Sequence, residues 1–184
     1  MKAIFYLFLA FSLVLLGVFV IIPEAVIRLG FSGESFFGGE IWRILSYPLA
    51  HVTLSHLLEN LVALFVVILL AHELDLSMKE FIIVFFLSCI LVALFSGLLF
   101  PYLLIVGSSL GIYSIFGALA LQDQEIMPQY LFLGIFGIII FLNVLYTVYS
   151  SSDYTQSAYH AAGFISGAVF ISIGKFRRKK RILQ

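Results

Sequence analysis

The sequence predicts an all-α membrane protein with six transmembrane helices and both termini in the cytoplasm. The chain of 184 residues is 62% hydrophobic and 11% charged, with a mean hydropathy of +1.15. A water-soluble domain is about a quarter charged, so this composition predicts a protein that lies in lipid. Six apolar segments approach the ~20 residues that a helix needs to cross a bilayer. The segments that join them divide the basic residues unequally, which indicates an orientation.

The six predicted spans follow one another in a single domain, residues 1–184. They cover about residues 3–22, 53–71, 81–100, 108–121, 130–149 and 157–174. The first follows Lys2 as a signal peptide would, but its apolar part exceeds the usual ~7–15 residues and no A-x-A cleavage site follows, which favours a retained span. Pro101 ends the third span. The fourth is short, so we expect its N-terminus to lie below the membrane surface.

Basic residues predict which side of the membrane each end occupies. An even number of spans puts both termini on one side, and that side receives Lys2, Lys79 and the six basic residues of segment 175–184. The other side receives Arg28 and Arg43. The positive-inside rule therefore makes the termini cytoplasmic and 175–184 a basic cytoplasmic tail. The second, fourth and sixth spans then begin at the outer face. The glycine-rich loop after the first span is long enough to hold short interfacial helices.

Gly107, Ser109 and Gly111 spell G-x-S-x-G, the nucleophile motif of soluble α/β-hydrolases, and Asp153 and His160 follow in the order of those enzymes. The composition excludes that fold, which makes Gly111 incidental. Ser109 still lies at a predicted helix start, where unpaired N–H groups and the helix dipole favour negative charge. No acid is placed to complete a triad, because Asp153 precedes His160 by seven residues in the outer loop.

Polar side chains inside apolar spans are costly and indicate function. His56 and Asn60 share one helix face, and Tyr113 lies four residues after Ser109, on its face. These residues predict serine hydrolysis by a dyad, with Ser109 as nucleophile and His160 as general base. His56 and Asn60 would donate hydrogen bonds to the oxyanion, and Tyr113 would stack on the His160 ring.

The remaining residues of interest have structural interpretations. Small residues let membrane helices approach closely, and four glycines are expected to do so: Gly107, Gly117, Gly163 and Gly167. His51 is expected at the rim of the cavity, and Trp42 and Arg43 as an interfacial anchor of the first loop. A metal site is not expected, because the histidines have too few carboxylate or cysteine companions. The dyad chemistry requires no cofactor.

In combination, these motifs resemble the rhomboid family of intramembrane serine proteases over nearly the whole chain. The resemblance is carried by Trp42–Arg43, by H-x4-H-x3-N from His51 to Asn60, by G-x-S at 107–109 with Tyr113 and Gly117, and by H-x2-G-x3-G from His160 to Gly167. It implies the six-helix rhomboid bundle, with Ser109 and His160 in an outward-open, water-filled cavity. It also implies that the backbone N–H of Ser109 joins His56 and Asn60 as an oxyanion donor.

Two residues depart from the family pattern. Leu110 stands where the family usually has glycine, so either the larger residue is tolerated or the register shifts and Ser108 is the nucleophile. The spacing to Tyr113 and Gly117 favours Ser109. Glu59 has no counterpart role in the family. We expect it to pair with a loop residue or to line the wet cavity.

The resemblance implies an endopeptidase that cleaves transmembrane segments of single-span proteins near the outer face, with substrates entering beside the fifth span. Its partners would be those substrates and the lipid bilayer; nucleic acid is not expected, and no oligomeric state follows from the sequence. The lack of further domains or a transit-like N-terminus favours a minimal prokaryotic form in the cell membrane. Two alternatives are a pseudoenzyme, supported only by Leu110, and a small transporter, which would need polar residues along its full depth.

Overall fold

The computed structural model describes residues 2–122, 128–149 and 155–182. In those residues the regular structure is helical, apart from one isolated bridge between Phe31 and Ile105. The helices, in chain order, are α1 (Lys2–Ile21), α2 (Ala25–Leu29), α3 (Gly33–Phe37), α4 (Arg43–Ser46), a 3-10 turn (Tyr47–Leu49), α5 (Leu54–Glu73), α6 (Met78–Leu99), α7 (Ser109–Ala120), α8 (Gln129–Tyr149) and α9 (Thr155–Ile182). The predicted all-helical class is confirmed, and short helices do occupy the first loop.

Three stretches are long and apolar enough to cross a membrane: α5, α6 and the Thr155–Gly174 part of α9. Three further apolar helical stretches of the described residues are shorter, namely Phe5–Ile21, Ser109–Ala120 and Gln129–Ile139. The protein is therefore a helical membrane protein. Crossing by all six helices, and the cytoplasmic position of both termini, stay predictions.

The last helix extends beyond the predicted span. The sixth span was predicted to end near residue 174, where the apolar part of α9 also ends, and α9 itself continues to Ile182 through most of the basic segment. Lys and Arg are good helix formers and are favoured near a helix C-terminus, so the loss of hydrophobicity does not end the helix. Residues 183–184 of the predicted tail, and Asp153 in the predicted outer loop, lie outside the described residues.

Helix α7 lies at the centre of the bundle. Ten of its twelve residues are buried, and it packs on α5, α6 and, most extensively, α9. A short helix that is apolar on all sides is expected to be buried in this way. The serine at its first position is thereby fixed by the surrounding helices.

The first loop is tied to the connection that leads into α7. Phe31 and Ile105 exchange backbone hydrogen bonds of 2.9 and 2.8 Å, and the N–H of Gly107 donates to the carbonyl of Tyr47 at 3.0 Å. The Tyr47 hydroxyl in turn donates to the carbonyl of Cys89 in α6, at 3.0 Å. Loop, α6 and the residues before Ser109 therefore form one hydrogen-bonded unit.

Arg43 holds the first loop together from inside. Its guanidinium donates to the carbonyls of Ile27 at 2.5 Å and Gly30 at 2.8 Å, and it pairs with the carboxylate of Glu40. A buried cation needs such partners to offset its lost hydration. Trp42, predicted as an interfacial anchor, lies beside it with its side chain exposed.

Candidate active site

The start of α7 depends on a glycine. Gly107 has a φ of +98°, in the left-handed region that L-residues with a side chain rarely adopt. A Cβ at this position would also lie 2.8 Å from Cε1 of His56. The chain therefore turns into α7 at Gly107, and Ser109 becomes the first residue of the helix, where backbone N–H groups have no intrahelical partner.

Ser109 opens onto a cavity of about 420 Å³. The cavity lies between the start of α5, the segment before α7 and the start of α9. The residues that line it include His56, Glu59, Gly107, Ser109, Leu110 and Gln156. The N-terminal ends of the second, fourth and sixth predicted spans thus meet at one end of the bundle.

The two serines of the motif differ in their surroundings. Ser109 is half-buried and lines the cavity, whereas Ser108 is fully buried and does not line it. The Ser108 hydroxyl has no hydrogen-bond partner among the described residues. Leu110, which departs from the family pattern, is 2% exposed and also lines the cavity. Its bulk is accommodated without displacing Ser109 from the cavity.

His160 lies against Tyr113. The two rings are parallel, with an interplanar angle of 5° and centroids 4.2 Å apart. His160 is buried, and neither of its ring nitrogens has a hydrogen-bond partner among the described residues. The Ser109 hydroxyl and His160 are therefore not hydrogen-bonded in this structure. A buried ring without polar partners is costly, which indicates a role other than stability.

Glycines bring α7 and α9 into backbone contact. A Cβ added to any of three glycines would meet a backbone carbonyl oxygen of the facing helix: Gly117 against Phe164, Gly163 against Leu110 at 2.5 Å, and Gly167 against Ser114. Close approach through small residues is a common way to pack membrane helices. It places His160 of α9 beside the α7 face that carries Tyr113.

His56 and Asn60 lie beside the turn that precedes Ser109. The Thr53 hydroxyl caps α5 by accepting from the His56 N–H at 3.1 Å, and the Asn60 amide donates to the His56 carbonyl at 2.9 Å. Nε2 of His56 is buried and has no described partner. A Cβ on Gly107 would lie 3.8 Å from the Asn60 amide nitrogen. Both side chains therefore border the approach to Ser109.

His51 lies behind His56 and is not among the residues that line this cavity. The two rings meet edge to face at 5.1 Å, and Nδ1 of His51 donates to the carbonyl of Leu49 at 3.2 Å. Burial, and secondarily the neighbouring His56, lowers the pKa of His51 to about 4. The ring is therefore neutral at pH 7, and it contacts the ring of His56.

Two close contacts were missed by sequence reasoning. Gly111, interpreted as incidental, packs on α6, since a Cβ there would lie 2.5 Å from the Phe85 ring. Gly33 of the first loop packs against the backbone of Gly97 in α6. A glycine inside a helix is less favourable than alanine by up to about 1 kcal/mol. The presence of glycine in a predicted helix was therefore the available sequence signal that close packing requires it.

In the described ranges, no three His, Cys, Asp or Glu side chains lie close enough together to hold a metal ion.

Comparison with known proteins shows a family and a relative to which the chain is similar. The family model described as the rhomboid domain matches residues 38–175, which is more than half of the chain. Rhomboid-like protease 3 of Toxoplasma gondii is 33% identical over 88 residues, which cover 48% of this chain and 33% of the relative. The aligned region thus spans about a third of the length of that curated relative. The resemblance found in the motifs is confirmed.

Proposed function

Because the chain belongs to the rhomboid family, we propose that it is an intramembrane serine endopeptidase in which Ser109 is the nucleophile and His160 the general base. One observation carries the proposal. Helix α7 presents Ser109 to the cavity and, one helical turn later, presents Tyr113 to the ring of His160. Nucleophile and base are thus supported by consecutive turns of one buried helix.

In the proposed reaction, Ser109 Oγ attacks the scissile carbonyl while its proton passes to His160. The C–N bond then breaks, and His160 returns the proton to the leaving amine. Water hydrolyses the resulting ester on Ser109, with His160 again accepting a proton. The absence of a Ser109–His160 hydrogen bond is compatible with this order, since such bonds tighten when substrate binds.

The proposed oxyanion donors are the Ser109 N–H, the His56 ring and the Asn60 amide. The Ser109 N–H is free because it belongs to the first turn of α7. His56 Nε2 has no described partner, and the Asn60 amide uses one of its two hydrogens on the His56 carbonyl. Removing one such donor costs about 10²–10³ in kcat in other serine proteases.

The proposed substrates are transmembrane segments of single-span proteins, cleaved near the outer face of a prokaryotic cell membrane. A helix hides its carbonyls in its own hydrogen bonds, so the segment must unwind before attack. Support for an outer position comes from the cavity, which joins the N-terminal ends of α5, α7 and α9. Those ends face outward under the positive-inside rule.

Proteolysis of a single-span substrate in liposomes tests the proposal. We expect Ser109→Ala and His160→Ala to reduce cleavage by at least about a thousandfold, because the two residues act as one unit. Labelling by a fluorophosphonate should disappear in Ser109→Ala and persist in Ser108→Ala. Equal cleavage by the Ser109→Ala variant would refute the proposed function, and labelling lost only in Ser108→Ala would move the nucleophile by one residue.

A further inference from the structure

Glu59 is a carboxylate on the wall of the candidate active site. It lies in α5, one turn after His56 and directly before Asn60, and it lines the same cavity as Ser109. Its side chain is exposed to that space. An ionisable residue in a helix apolar enough to cross a membrane is costly and indicates function.

No cation of the described residues forms an ion pair with the carboxylate of Glu59. Among the described residues it forms no ion pair or hydrogen bond, although it interacts electrostatically with the ring of His56 on the same helix. Among the described residues that line the cavity there is no lysine or arginine, and Glu59 is the one that carries a formal charge. A sphere of 420 Å³ is about 9 Å across, close to the screening length of ~8–10 Å in physiological salt. Any peptide bound at Ser109 therefore experiences this carboxylate.

We propose that Glu59 is a specificity-determining residue that selects substrates with a lysine or arginine close to the scissile bond. The inference rests on the proposed function and concerns the substrate class of the same site. A cation is the group that complements an unpaired carboxylate in a confined, partly apolar space, and an acidic side chain there is repelled. Glu59 does not take part in bond breaking in this proposal.

The test uses a series of single-span substrates that differ at one position, with Lys, Gln or Glu placed in turn at each position flanking the scissile bond. For the wild-type protein in neutral-lipid liposomes, we expect kcat/KM at one or more positions to favour Lys over Glu by about tenfold. Glu59→Gln should bring that ratio close to one, and Glu59→Lys should invert it. Raising the salt concentration should reduce the wild-type ratio.

Glu73→Gln is the matched control. It removes the same charge from the other end of α5, outside the cavity, so it should keep the wild-type Lys/Glu ratio. If Glu59 acted only by orienting His56, Glu59→Gln would change all substrates by the same factor. A ratio that is equal in the wild-type protein and in Glu59→Gln at every position overturns the inference.

Binding separates this inference from the proposed function. The same series is bound to the Ser109→Ala variant and followed by fluorescence of the labelled substrate. Tighter binding of the Lys substrate, abolished by Glu59→Gln in that background, supports the inference even if cleavage turns out not to depend on Ser109. If binding does not depend on the charge of the substrate while cleavage depends on Ser109, the inference about Glu59 is overturned and the proposed protease function is retained.

Discussion

The α7–α9 pair and helix α8 are joined to the bundle in different ways. Between α7 and α9 the backbones touch, because glycines lie at Gly117, Gly163 and Gly167 where a methyl group would overlap a carbonyl oxygen or press on it. Helix α8 also contains two glycines, Gly134 and Gly137, but a Cβ on either would meet nothing within 4 Å. The same residue type is thus required by geometry in one region and meets no described neighbour in the other.

Helix α8 contacts the neighbouring helices α7 and α9 through aromatic side chains. The ring centroid of Phe136 lies 4.5 Å from that of Phe116 in α7 and 5.8 Å from that of Phe164 in α9. Phe132 stacks on Phe136 within the helix. Many of its other described side chains, such as Ile138, are exposed. Packing through rings leaves room for movement that backbone contact does not.

This difference in packing corresponds to two different roles in the proposed function, which are the positioning of Ser109 and His160 and the entry of substrate. Ser109 and His160 lie on two helices that cannot approach each other more closely without a clash, and the proposed catalytic groups need such fixed positions. The helix beside which the family resemblance would admit substrate is α8, which contacts α7 and α9 through the side chain of Phe136. Three substitutions test whether the two regions differ as described, from the largest expected effect to the smallest.

Gly167→Ala is expected to have the largest effect. The added methyl group overlaps the Ser114 carbonyl oxygen, so α9 must move away from α7 and take His160 with it. We expect the free energy of unfolding to fall by about 2–3 kcal/mol, as for other overpacked sites. Fluorophosphonate labelling of Ser109 should slow by about 10²-fold, because a displacement of ~1 Å costs that much.

Thermal unfolding in detergent and the labelling rate measure the two effects. The variant must remain folded for the rate to be meaningful, which size-exclusion chromatography checks. A wild-type labelling rate in folded Gly167→Ala protein would mean that α7 and α9 accommodate the added methyl group without displacing Ser109 or His160. The contact between α7 and α9 would then not be rigid, which contradicts the comparison.

Much of the α7–α9 region could be predicted from the sequence, because helical periodicity alone decides it. Offsets of four placed Tyr113 on the Ser109 face, and offsets of three and seven placed Gly163 and Gly167 on the His160 face. Two faces that each carry small or polar residues in an apolar bundle are expected to meet. The structure brings them together and stacks Tyr113 on His160.

The rest depends on which side chain faces which across different helices. Gly111 meets Phe85, and no spacing within α7 identifies the residue of α6 that lies opposite. His51 is buried behind His56 because the 3-10 turn positions it there, which its place in a loop did not indicate. The lack of a Ser109–His160 hydrogen bond depends on the positions of two side chains on different helices, which no residue pattern encodes.

Phe136→Ala is expected to have an intermediate effect. It removes the ring that contacts Phe116 and Phe164, so α8 loosens while the α7–α9 contact remains. We expect the free energy of unfolding to fall by about 1–2 kcal/mol. That is less than the ~3–5 kcal/mol of a soluble core, because lipid is as apolar as the packing that is lost.

Labelling of Ser109 by a small fluorophosphonate should be unchanged in Phe136→Ala, whereas cleavage of a membrane substrate should rise about two- to threefold if entry beside α8 limits the rate. The matched control is Leu133→Ala, which removes a large side chain from an exposed position of the same helix. A labelling rate that falls with Phe136→Ala would show that α8 helps to position the dyad.

Gly137→Ala is expected to have the smallest effect, and it is the matched counterpart of Gly167→Ala. The same methyl group is added to a helical glycine, but here it meets nothing within 4 Å. Alanine is favoured over glycine by up to about 1 kcal/mol in a helix, so the free energy of unfolding should stay the same or rise by up to that amount. Labelling of Ser109 should be identical to wild type. Destabilisation comparable to that of Gly167→Ala would require α8 to pack closely against another surface at Gly137, and the difference between the two regions would then be one of partner rather than of tightness.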